Sequence, residues 1–163
     1  ISLLPEVPTR RPERGFREAL QIQGPTLLYL GNLESYQGID LMLESFALTG
    51  RKNPDANLVI AGGRADDIEK YREKTATLGI ASRVHFLGPR PLSHMPDLFQ
   101  DADILVSPRT QGANTPMKIY SYLDANRAIL ATDLPTHTQV LDDKVAIMAE
   151  PEADKFAEAK YTL

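Results

Sequence analysis

The chain has 163 residues, 42% hydrophobic and 25% charged, with a formal net charge of −4. That suffices for one packed domain or a part of a larger architecture, and the absence of a basic block argues against a nucleic-acid surface. There is no cysteine, hence no disulfide and no cysteine-bound zinc, and His85, His94 and His137 are scattered without metal-ligand spacing.

No apolar run approaches the ~20 residues of a membrane-spanning helix. No signal peptide is visible, and the chain opens on Ile1 rather than Met. The expectation is a piece of a longer, cytoplasmic protein, with any peripheral membrane attachment supplied by the missing part.

Residues 1–25 carry Pro5, Pro8, Pro12 and Pro25 with Arg10, Arg11 and Arg14 between them. They read as an irregular lead-in with a short helix near Phe16–Gln21, and residues 26–163 read as the domain proper. "TLLYLG" (26–31) is a short apolar run closed by glycine, the mark of a buried strand. "GIDLMLESFALTG" (38–50) places Ile39, Met42, Leu43, Phe46 and Ala47 on one helical face. "ANLVIAGG" (56–63) is the next strand, 65–78 a polar helix, and "RVHFLG" (83–88) a third strand. "HMPDLFQDA" (94–102) reads as a short helix and "DILVSP" (103–108) as a fourth strand. A helix begins at Thr115, with Thr115 as cap and Pro116 in the first helical position. "AILATD" (128–133) is a strand, "THTQVL" (136–141) a turn of helix, "KVAIMAE" (144–150) a last strand and 153–160 a last helix.

Six strands alternate with helices, and the strands are continuous apolar runs, as expected where both sheet faces are covered. The fold class is therefore α/β, a doubly wound, Rossmann-like parallel sheet with helices on both faces. Ligands of such sheets sit beyond the carboxyl ends of the strands. In "GNLESYQG" (31–38), Gly31 and Gly38 permit a tight turn and close backbone approach to a ligand, with an anion site at the helix start near Ile39, or simply a strand-to-helix turn. Gly62, Gly63 and Arg64 end the second strand, with Arg64 facing the crevice or solvent. Phe86, Leu87 and Arg90 fall in "FLGPR", which ends the third strand, and Pro89 with Pro91 holds an extended loop beyond it with backbone groups available to a base.

"SPRTQGANTPMK" (107–118) is the most informative segment. It holds Arg109 and Lys118 and no acid. A cation in the first turn of a helix is unfavourable on its own. A phosphate at this helix start, taking backbone N–H bonds and charge-assisted bonds from Arg109 and Lys118, would reverse that balance. The alternative is a solvated Lys118. A Ser107–His137–Asp133 triad has no nucleophile-elbow pattern behind it.

In order and spacing, "LLYLGNLESYQGIDLMLESFA", "ANLVIAGG", "RVHFLGPRPLSHMPDLFQDADILVSPR" and "KIYSYLDANRAILATDLPTHTQVL" resemble the second, donor-binding domain of GT-B glycosyltransferases of the retaining group 1 class. The resemblance runs from about Thr26 to Glu150. It implies a nucleotide-diphospho-sugar donor, UDP- or GDP-linked, with no other cofactor and no metal. It also implies an acceptor held on a separate N-terminal domain, with reaction in the cleft between the two. Gly31, Asn32, Arg109, Thr115 and Lys118 would hold the diphosphate, Phe86–Arg90 the base, and Gly112–Asn114 would face the sugar. The chain departs from the family where members carry arginine and lysine on the first loop; here Asn32 and Gln37 stand there. Two family glutamates would fall near Ala113 and at Ser121, and Asn126 and Ala128 replace a common glycine and proline. Ser121 still offers a hydroxyl to a ribose. A degenerate, non-catalytic module of the same fold is the rival reading.

Overall fold

The computed structural model describes residues 15–159. The proline- and arginine-rich segment before them lies outside the described residues. The elements, in chain order, are α1 (Phe16–Leu20), β1 (Thr26–Leu30), α2 (Ile39–Thr49), β2 (Asn57–Ala61), α3 (Ala65–Thr77), β3 (Val84–Gly88), α4 (Met95–Asp101), β4 (Ile104–Ser107), α5 (Lys118–Asp124), β5 (Ala128–Thr132), α6 (Pro135–Thr138), β6 (Ile147–Ala149) and α7 (Ala153–Ala159). The expected alternation is therefore present.

All neighbouring strands pair in parallel, in the order β3-β2-β1-β4-β5-β6. The chain runs outward from β1 to β3, returns across the sheet, and runs outward again from β4. The strand order thus reverses between β1 and β4, the place where open sheets of this kind leave a crevice.

Burial explains the apolar runs. Every residue of β1 is buried, because helices cover both its faces. On one face, Ile39, Met42, Leu43 and Phe46 of α2 pack with Leu27 and Tyr29, joined by Tyr71 of α3 and Phe156 of α7. On the other, Leu28 and Leu30 meet Leu98 and Phe99 of α4 and Ile119 and Tyr122 of α5. At about 25 cal/mol per Å² of apolar surface, these two layers supply the main driving force of folding. β3 is an edge strand and only Val84 is fully buried there. α1 is anchored by Arg17, which bonds to the Asp101 carbonyl at 2.6 Å and the Asp103 carboxylate at 2.5 Å.

Three local expectations are corrected. α5 starts at Lys118 rather than Pro116, and Thr115 does not cap it. Its hydroxyl points instead to Gln139 Oε1 at 3.4 Å, and two short i→i−3 bonds, Ile119 N–H to Pro116 O and Tyr120 N–H to Met117 O, lead into the helix. β6 is three residues long, because Lys144–Ala146 form a turn. α6 covers Pro135–Thr138 rather than 136–141. Asn126 adopts φ +54°, which asparagine tolerates better than most residues, at the position where the resemblance implies glycine. Among the described residues no helix is long and apolar enough to cross a membrane.

Candidate functional site

The loops after β1 and β4 meet at the switch point. Gly38, with φ +78°, opens α2 so close to the β4 loop that a Cβ there would lie 1.9 Å from the Pro108 carbonyl oxygen. The Thr110 N–H donates to the Tyr36 carbonyl at 3.0 Å. The Arg109 guanidinium lies 5.2 Å from the centre of the Tyr36 ring, a cation–π contact between the two loops.

Lys118 reaches back from the first residue of α5 to the end of β1. Its Nζ stands 4.1 Å from the centroid of the buried Tyr29 ring. A Cβ on Gly31 would come within 2.8 Å of that nitrogen, so glycine leaves the room that the lysine uses. The stem of Lys118 is partly exposed, but Nζ itself is covered and has no hydrogen-bond partner. Burial, with a smaller contribution from Arg109, lowers its pKa to about 7. The Tyr29 hydroxyl donates to the Asn32 carbonyl at 2.6 Å, which fixes the turn after β1. Burial pushes the Tyr29 phenol well up, so it remains a donor.

Arg109 is held at several atoms. Its Nε donates to the Gln111 carbonyl at 2.8 Å and an Nη to the Asn114 carbonyl at 3.3 Å. Gly112 passes close to the guanidinium. Lys118 and Arg109 are thus two neighbouring cations beside a loop that contains no acid, and the arrangement has the chemistry of an anion site.

The other expected residues are more dispersed. Asn32 is exposed, with its Oδ1 accepting from the Glu34 N–H at 3.2 Å. Gln37 is buried, and its Oε1 lacks a partner. Gly62 lies at the end of β2, where its N–H donates to the Gly88 carbonyl at 2.8 Å; Gly63 follows, and Arg64 is exposed at the start of α3. Phe86 and Leu87 belong to β3, as expected of the run that ends at Gly88. Their side chains take opposite faces: Phe86 packs on the α2/α3 layer, while Leu87 packs on the α4 layer. Leu87 and Arg90 border a groove of about 330 Å³ with α1 and α4. Ser121 lines a second groove between α4 and α5.

The triad, which had no sequence pattern behind it, is not formed. Ser107 Oγ lies 2.8 Å from His137 Nε2, but the other ring nitrogen meets Thr132, not Asp133. Ser107 and His137 are fully buried, so the hydroxyl is not presented to a substrate. Tyr29, Tyr36 and Thr132 were not among the expected site residues. The one available signal was a tyrosine inside the apolar run "LLYL", whose hydroxyl must find a partner when buried.

The domain model of the group 1 glycosyl transferases matches residues 24–163. D-inositol 3-phosphate glycosyltransferase from Corynebacterium diphtheriae is 33% identical over 87 residues, 50% of this chain and 20% of that protein. Phosphatidyl-myo-inositol mannosyltransferase from Mycobacterium tuberculosis is 28% identical over 123 residues, 74% of this chain and 31% of that protein. The chain therefore spans less than a third of these relatives. Among solved structures, HepE from Anabaena in complex with UDP and glucose superposes with a TM-score of 0.80 at 18% identity, over 90% of this chain and 40% of the other. The C-terminal domain of a group 1 family protein, LpcC from Francisella tularensis, gives 0.75 at 19% identity, over 90% of this chain and 78% of that one. These structural likenesses establish the shared fold, and the match over residues 24–163 establishes more: the chain belongs to the group 1 glycosyltransferases.

Proposed function

We propose that this domain binds the nucleotide-diphospho-sugar donor, and that the complete protein transfers the sugar to a glycan or lipid acceptor held on a separate domain, in the cytoplasm. The observation that carries the reading is Lys118 Nζ: a covered ammonium without a hydrogen-bond partner, beside a second cation, at the sheet's switch point. Leaving a cation so placed is costly, and such costs concentrate at functional sites. A diphosphate at the ends of β1 and β4 would remove it. Lys118 has to swing off the Tyr29 ring to reach a phosphate, which four rotatable side-chain bonds allow. Arg109, Gly31, Asn32 and Thr115 would complete the diphosphate site, with the base near Gly88–Arg90 and the sugar near Gly112–Asn114. Gln37 and Ser121 would add neutral contacts where relatives are charged. Catalysis would then consist of positioning and of stabilising charge on the departing diphosphate. The solved complex of HepE with UDP supports this reading.

The rival, a non-catalytic module, is favoured by the engagement of Arg109 with its own loop's carbonyls. Calorimetric titration with UDP, GDP and ADP decides. The donor reading expects one of them to bind, and Lys118→Met to weaken that binding at least ~10-fold, the loss of one charge-assisted contact, with melting temperature unchanged or raised. Binding of none would favour the rival.

A further inference from the structure

The loop that carries Arg109 is gripped by a segment from the next βα unit. Thr132 Oγ1, at the end of β5, donates to the Arg109 carbonyl at 2.6 Å. Thr136 Oγ1 in α6 donates to the Asn114 carbonyl at 2.8 Å, and that same carbonyl receives the Arg109 Nη. Gln139 Nε2 donates to the Ala113 carbonyl at 2.8 Å. Arg109 is therefore steadied at both ends: its backbone by Thr132, its guanidinium through Asn114 by Thr136.

His137 lies beneath this grip, fully buried. Its tautomer follows from its partners. The Thr132 carbonyl, 2.9 Å from Nδ1, can only accept, so Nδ1 carries the hydrogen. In the neutral ring Nε2 is then bare and accepts from Ser107 Oγ–H at 2.8 Å. Nδ1 also lies 3.0 Å from Thr132 Oγ1, which has committed its own proton to Arg109 and is free to accept. The ring thus ties the last residue of β4 to the last residue of β5 and orients the Thr132 hydroxyl. Burial lowers its pKa, the Thr132 carbonyl opposes that, and Lys118 and Arg109 add to the lowering, so the neutral ring is the working form.

We infer that Thr132 and His137 are positioning residues of the donor site: they fix the Arg109 carbonyl, and with it the guanidinium offered to the diphosphate. This rests on the donor-binding reading above. A residue that merely braces the sheet would matter equally whether or not Arg109 were present. A residue that acts through Arg109 would lose its effect once the guanidinium is gone.

The test is a double-mutant cycle on the 163-residue chain, read as affinity for whichever of UDP, GDP or ADP it binds, with melting temperatures alongside. Thr132→Val should weaken binding about tenfold, since small misplacements of positioning groups carry large effects. Thr132→Ser, which keeps the hydroxyl, should restore it. In an Arg109→Ala background, Thr132→Val should change affinity less than about twofold. Should Thr132→Val fail to fold, Thr132→Ala, which removes the same hydroxyl with less bulk, takes its place, with a loss that likewise vanishes without Arg109. Equal losses with and without Arg109, or no loss in either, overturn the inference while leaving donor binding standing. If the unsubstituted chain binds none of the three nucleotides, the donor reading falls and this inference falls with it.

Discussion

Lys118 carries a proton balance as well as a charge. Its pKa, lowered from the usual 10.5 to about 7 by burial and by Arg109, makes it partly neutral at physiological pH. A bound diphosphate would favour the charged form, so binding at pH 8 should take up a proton. The enthalpy measured by calorimetry should then differ between buffers of different ionisation heat, such as HEPES and Tris, and the difference should vanish in Lys118→Met. Affinity should fall as pH rises above 7. The stability effect has the opposite sense. Between about 7 and 10.5 the unfolded chain holds more protons than the folded one, so this group makes stability rise with pH across that window and lowers it as pH falls towards 7. Lys118 was legible in the sequence because a lysine at a helix start, in an acid-free segment, conflicts with the helix field. Thr132 was not, since its partner Arg109 lies 23 residues away and only β4–β5 pairing brings the two together.

Among the elements, the turn into α2 and the start of α5 illustrate opposite outcomes. Gly38 was legible as a turn glycine, and the fold adds the reason for it: positive φ together with contact with the Pro108 carbonyl. Gly38→Ala must both adopt a left-handed backbone and displace the β4 loop. The expected loss is about 2 kcal/mol or more in urea unfolding, with weakened nucleotide affinity because the two loops part. The start of α5 was misplaced by two residues. Thr115 and Pro116 form a sound local capping signal, but Thr136 and Gln139 seize the carbonyls of Asn114 and Ala113 from outside the segment. Tertiary bonds here override a preference worth about 1 kcal/mol. The same bonds set the path of the Arg109 loop, which is why local sequence alone could not trace it.

At the level of the whole molecule, alternating apolar runs and helical faces announced a doubly wound sheet, and that sheet is present. Its strand order was not legible. The loops at the strand ends were read one by one, and the order β3-β2-β1-β4-β5-β6 brings two of them, after β1 and β4, face to face. Phe86 and Leu87 lie in the third strand, as their apolar run announced, but that they take opposite faces of the sheet follows from its pleat and from the layers packed on it. Which strand ends share a crevice is a property of connectivity, and no segment carries it.

Where β1 and β4 part, their pairing ends at Tyr29 and Val106. Just beyond, the buried Tyr122 hydroxyl accepts from the Leu30 N–H at 3.2 Å and donates to the Val106 carbonyl at 3.1 Å. A side chain from α5 thus replaces one rung of the ladder, in the same helix whose first residue is Lys118. Tyr122→Phe should cost about 1–3 kcal/mol in urea unfolding, because a buried donor and acceptor lose their partner. The consequence reaches the amide itself. In deuterated solvent, the Leu30 N–H should exchange as slowly as those of the sheet interior, although no strand bonds it, and Tyr122→Phe should speed that one amide selectively. Because the protecting hydroxyl rides on α5, Leu30 becomes a clock for that helix: any motion that lifts α5 as Lys118 leaves the Tyr29 ring will be recorded in deuterium one strand away.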